Sequence, residues 1–217
     1  MLCKNGPMES PSPETLQNDP RYELLLVIRH DDLMPFLEEY LFSRHPVMRL
    51  FWTINALILV AAIAAAFKDT GQGLISWGAL IRQFILGVLL LLSVGIVLHE
   101  GIHGLAYKIS GAPRVSFGVN WRWFYFYAIA DRFVIGRKKF YFVALAPFVV
   151  ITLAIIAGLF YADVETKWVL WSVLLFHTGA CAGDIAILTF YLKYQHFPNL
   201  LTFDDRFEGK SYFYLMR

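Results

Sequence analysis

The chain has 217 residues, 58% of them hydrophobic and only 17% charged, a balance that excludes an ordinary water-soluble domain and makes lipid part of its solvent. A net charge of +2 scattered over the loops offers no electrostatic footprint for a nucleic-acid partner. Two cysteines, Cys3 and Cys181, are too few for a disulfide framework. Taken in chain order, Pro11, Pro13 and Pro20 mark a mobile start. Glu9, Glu14 and Asp19 leave no room there for a cleavable signal peptide, so the first span is expected to act as its own insertion signal. Glu23 to Ile28 reads as a strand and Asp31 to Phe42 as a capped helix, giving a small cytoplasmic α+β cap over residues 1–47. Leu50 to Phe67 carries no charge and is long enough to cross about 30 Å of hydrocarbon as a helix.

The second span, Gln83 to Leu98, runs straight into His99, Glu100 and His103. The loop that follows alternates Val115, Phe117, Val119, Trp121, Trp123, Tyr125 and Tyr127, a period of two that predicts a β-hairpin, and its Trp and Tyr content places that hairpin at the membrane surface. Phe140 to Ala162 is a third, uncharged span, and Trp168 to Leu192 a fourth that contains His177 and Asp184. The expected fold is a mainly α polytopic membrane protein with about four transmembrane helices: a membrane domain over 48–193 and a cytoplasmic tail over 194–217. Lys108, Arg114, Arg122, Arg132, Arg137, Lys138 and Lys139 crowd the second connection, against Lys167 alone in the third, which predicts cytoplasmic termini. The chain is read as an integral protein of a bacterial cell (inner) membrane.

His99 and His103 are four apart, so on a helix they project from one face and can present ring nitrogens to one ion. Glu100 is turned about 100° from His99, out of the ligand row yet near enough to act as general base on a metal-held water. The bland reading, polar residues bonding across helices, is weakened because ionisable groups inside a span are costly and seldom kept without a function. A catalytic zinc needs a third protein ligand. Asp184 is the candidate, since it lies as many residues beyond Lys167 as His99 lies beyond Arg82, and so at the same depth. No Lys or Arg within a span is available to pair with it. His177 and Cys181 share its helix face at i, i+4 and i+7. Cys181 stays open as an alternative ligand beside the commoner role of a small buried residue filling space, and His177 is expected to orient a ligand, to line a water path or simply to bond across helices.

The run His-Glu-Gly-Ile-His-Gly from His99 to Gly104, with Ala-Pro-Phe around Pro147 and Ala-Gly-Asp-Ile from Ala182 to Ile185, resembles the putative zincin peptidase family of membrane proteins, which is related in layout to the site-2 proteases. The resemblance covers roughly Ile81 to Leu192. It implies that His99, His103 and Asp184 hold zinc, that Glu100 activates water, and that a peptide or membrane-protein substrate is cleaved within or near the bilayer. The site-2 proteases carry their aspartate in an Asn-Pro-Asp-Gly setting, which this chain lacks, so no substrate contact is carried over from that Asn and Pro. The hairpin near Val115, Phe117 and Val119 is open to two readings, a strand edge to which an extended substrate adds and an aromatic membrane anchor. Two other classes compete with this reading. A non-proteolytic ion carrier or inactive scaffold would keep buried His and Asp but would not need Glu100. A di-iron lipid oxidoreductase would need more than the six histidines present, of which His30, His45 and His196 lie outside the spans.

Overall fold

The computed structural model describes residues 11–121, 125–196 and 199–217, so Cys3, Glu9, Arg122 and Trp123 lie outside the described residues. The fold is the expected one, mainly α with four helical segments long and apolar enough to cross a membrane. The first is α3, Pro46–Gly71, opened by Pro46 in its first turn and by His45, whose Nδ1 accepts from the Val47 N–H at 3.3 Å. The second is α4, Trp77–Leu90, continued through a π turn at Leu91–Gly95 into α5, Ile96–Ile109. The third is α6, Arg137–Tyr161, with Pro147 inside it. The fourth is α7, Val164–Ala180, joined at Cys181 to α8, Ala182–Lys193. Residues of the first two spans are 17% buried and those of the fourth 61%, so the fourth is the inner span and the others present Leu57, Val60, Leu89, Val97 and Leu153 outward. Outward apolar side chains on three helices suit lipid, which cannot hydrogen-bond a backbone and so favours closed helical spans.

Three segments outside the lipid differ from the sequence reading. The stretch that Pro11, Pro13 and Pro20 mark holds an element not foreseen: α1, Pro13–Asn18, is a short helix whose proline sits at the first turn, where a missing N–H costs nothing, while Ser12 Oγ accepts from the Thr15 N–H at 3.2 Å. Its Leu16 is buried against Val134, Phe203 and Tyr214. The helix expected from Asp31 is α2, Leu33–Leu41, preceded by a single 3-10 turn at His30–Asp32; Asp32 has a backbone angle ψ of 6°, outside the extended cap conformation, and makes no side-chain cap bond. The tail forms two strands, β5 Leu200–Asp205 and β6 Lys210–Met216, turned at Gly209, whose φ of +64° suits glycine.

These strands build a four-stranded antiparallel sheet in the order β1-β6-β5-β4, in which β1 is Tyr22–Arg29 and β4 is Ile135–Gly136. Register pairs Tyr22 with Met216 and Arg29 with Lys210 on one side of β6, and Leu200 with Leu215 on the other. The sheet therefore gathers residues preceding the first span, following the second and following the fourth at one end of the helices. The hairpin expected in the second connection is present as β2, Ser116–Asn120, paired antiparallel with β3, Tyr125–Ile129. Phe213 of β6 meets Phe190 and Tyr191 of α8 at ring separations of 5.1 and 6.0 Å, which seats the sheet on the inner span.

Candidate metal centre

The α-helical rise of α5 stacks His99 one turn above His103, with ring centroids 4.8 Å apart. His103 is fixed from behind: its Nδ1–H donates to the Val143 carbonyl of α6 at 2.9 Å. A carbonyl can only accept, so the proton is on Nδ1 and the Nε2 of His103 presents a lone pair. That Nε2 lies 3.1 Å from His99 Nε2. Asp184 completes the group, its Oδ2 3.3 Å from His99 Nε2 and its Oδ1 3.3 Å from His103 Nε2. The break between α7 and α8 at Cys181 puts Asp184 in the first turn of α8, where a carboxylate is favoured by the helix dipole.

Two imidazole nitrogens and a carboxylate converge with no Lys or Arg among them, and one shared proton cannot satisfy three acceptors. A small cation can. Zinc bonded at about 2.0–2.1 Å to nitrogen and oxygen in a tetrahedron separates its ligand atoms by about 3.4 Å; the two ring nitrogens are 3.1 Å apart and each has one of the Asp184 oxygens at 3.3 Å, close to that spacing. The donor set therefore fits a borderline divalent ion with one coordination position to spare.

Glu100 lies beside the cluster on the next helical position, with Oε2 buried and without a hydrogen-bond partner, while the Ala128 backbone of β3 interacts with the carboxylate. It borders a cavity of about 500 Å³ shared with His99, His103, Asp184, β3 and the sheet residues Asp204 and Phe213. At the far wall, Asp204 accepts from Ser211 Oγ at 2.5 Å and stands 4.0 Å from His30 Nε2; burial raises its carboxyl above the usual carboxylate range. Glu100 thus lies beside the cluster with an unpartnered oxygen, and Asp204, Ser211 and His30 give the same cavity a second polar group.

The other site residues read from the sequence fall as follows. His177 and Cys181 are fully buried and stand by the opposite nitrogen of His99, with His177 Nε2 3.4 Å from His99 Nδ1 and 3.7 Å from Cys181 Sγ. Asp184 therefore faces the Nε2 pair, and Cys181 does not share that position. Val115 packs against the core under α5, Phe117 is exposed with its ring over Gly104, and Val119 is half-buried; none of the three lines the cavity, which is walled instead by Tyr125 to Ile129 of β3. The alternation that marked the hairpin runs through both strands and carries no signal for which of them faces α5. His30, Asp204 and Ser211 went unnoticed because they come from the cap and the tail, which only the sheet brings together.

Four membrane-length helices around two imidazoles, a carboxylate and an adjacent glutamate define an integral membrane protein with the ligand types of a metallopeptidase. The family described as "Putative zincin peptidase" matches residues 92–196, from the π turn to just past the last span, a little under half of the chain. The match supports a metallopeptidase of the zincin kind, with zinc the ion that the description implies. No curated protein and no solved structure matches the chain.

Proposed function

We propose that this protein is a zinc-dependent, membrane-embedded peptidase that hydrolyses peptide bonds within or next to the bilayer. The observation that carries the reading is the convergence of His99 Nε2, His103 Nε2 and Asp184 within 3.3 Å of one another, beside a Glu100 oxygen that has no other partner. His99, His103 and Asp184 would hold the ion, which supplies a Lewis acid that acidifies a water and polarises the scissile carbonyl. Glu100 takes the proton from the attacking water and delivers it to the leaving amine, so the carboxylate is restored at the end of the cycle. Val143 keeps His103 in the tautomer that leaves Nε2 bare. The outer edge of β3 beside Glu100 offers backbone groups to an extended substrate, which suits a protease because hydrolysis needs the chain unwound. The substrate is a peptide or membrane protein reaching the cavity from the sheet end. The positive second connection and the common end of the sheet segments support cytoplasmic termini in a bacterial inner membrane.

The test compares membrane proteomes of cells carrying the parent protein and Glu100→Gln. Fragments that depend on the parent should vanish in the variant, with turnover lowered about 10²–10⁴-fold, while the purified variant keeps its zinc. Unchanged fragments would leave the alternative of a non-proteolytic ion carrier or scaffold.

A further inference from the structure

The cluster has a second side. His99 turns Nε2 toward His103 and Asp184, and turns Nδ1 toward His177, whose Nε2 lies 3.4 Å away and also 3.7 Å from Cys181 Sγ. The three atoms lie within 4.8 Å of one another, and His177 and Cys181 are 1% and 0% exposed. The 3.4 Å separation is longer than the usual 2.7–3.2 Å or so of an N–H hydrogen bond, and both neighbours aim at one nitrogen that carries either a single proton or a single lone pair. An ion bonded to nitrogen at about 2.0–2.1 Å and to thiolate sulfur at about 2.3 Å separates two nitrogens by about 3.4 Å and nitrogen from sulfur by about 3.6 Å. The two spacings that His177 makes, 3.4 Å to His99 and 3.7 Å to Cys181, are close to these, and the His99–Cys181 pair lies within 4.8 Å.

We propose that His99, His177 and Cys181 form a second position for a thiophilic divalent ion of the zinc class, with the His99 ring bridging it to the first. Binding there releases two protons to solvent, one from the Cys181 thiol and one from His99 Nδ1. The resulting thiolate and imidazolate offset the dication, which makes the charge tolerable inside a span. The inference goes beyond the peptidase reading and shares only His99 with it. It also gives Cys181 a ligand role that leaves Asp184 in the first position.

The test uses the purified full chain in detergent, stripped of metal and titrated with cadmium, with bound ions counted by elemental analysis and the thiolate-to-cadmium charge-transfer absorption followed in parallel. The parent should take up two ions per chain and develop the absorption. Cys181→Ser should take up one ion and lose the absorption, while Asp184→Asn should take up one and keep it. A parent that binds a single ion without the absorption, or an absorption that survives Cys181→Ser and so belongs to Cys3, overturns the second position. An absorption lost in Asp184→Asn as well means one ion with a mixed ligand set and overturns it too. If the first position is the one misassigned, Asp184→Asn loses no ion, a separate outcome.

Discussion

At the scale of single residues, the box from His99 to His103 was legible because a helix converts a spacing of four directly into a shared face. Asp184 was legible from depth, since two helices that run the same way bring equal distances from the membrane surface to one level. His177 was half-legible: its helix face was evident, but not that it would stand by the far nitrogen of His99, because the break at Cys181 alters the direction of the chain between it and Asp184. Asp204 was not legible at all, for its setting is made by His30 and Ser211 from strands distant in sequence. It carries a prediction. Its folded carboxyl keeps its proton to higher pH than in the unfolded chain, so the stability this confers is fully present below about pH 4 and is lost as the pH rises through the folded value. Asp204→Asn, fixed in the neutral form and still able to accept from Ser211, should therefore raise the thermal midpoint at neutral pH. The gain should disappear below about pH 4 when unfolding is followed in detergent across that range.

At the scale of elements, the spans were legible from apolar length, whereas the joints within them were not. Gly87 of α4 lies so close to α7 that an added Cβ would meet the Val169 carbonyl at 2.5 Å and Ser172 Cβ at 2.7 Å. Small residues permit such close approach where lipid offers no hydrophobic drive for association. Gly87→Ala forces two helix backbones apart and should cost about 1–3 kcal/mol, readable as a shift in denaturant unfolding. The π turn at Leu91–Gly95 inserts one residue beyond the α repeat, aided by Ser93, whose hydroxyl donates to the Leu89 carbonyl at 2.7 Å. Because the wide turn absorbs that one extra residue, deleting Leu92 should restore a regular helix with the box and the start of the span still on their faces. The expected outcome is zinc retained by elemental analysis together with the helical circular-dichroism signal; loss of zinc would mean that the turn itself sets the position of the box. No periodicity announces a π turn in a stretch as uniformly apolar as Leu89 to Leu98.

At the scale of the whole molecule, the sheet unites three stretches that the sequence reading kept apart as cap, loop and tail. The alternation in Leu200–Asp205 and Lys210–Met216 is present in the sequence, yet a strand is stabilised by partners, and those lie beyond the reach of a local pattern. Cutting the chain after Glu208 removes β6, with it the pairing of β1 and the packing of Phe213 on Phe190 and Tyr191. Loss of that one buried ring is worth about 3–5 kcal/mol, so the shortened protein should fall sharply in steady-state level and in detergent melting temperature. β6 is one of the two inner strands and follows the four membrane-length segments in chain order. Ser211 and Phe213 of this strand wall the cavity that His99, His103 and Asp184 share. Enclosure of the ion ligands therefore depends on a strand made after the helices that carry them, so the cleft and its ligands are built by separate parts of the chain.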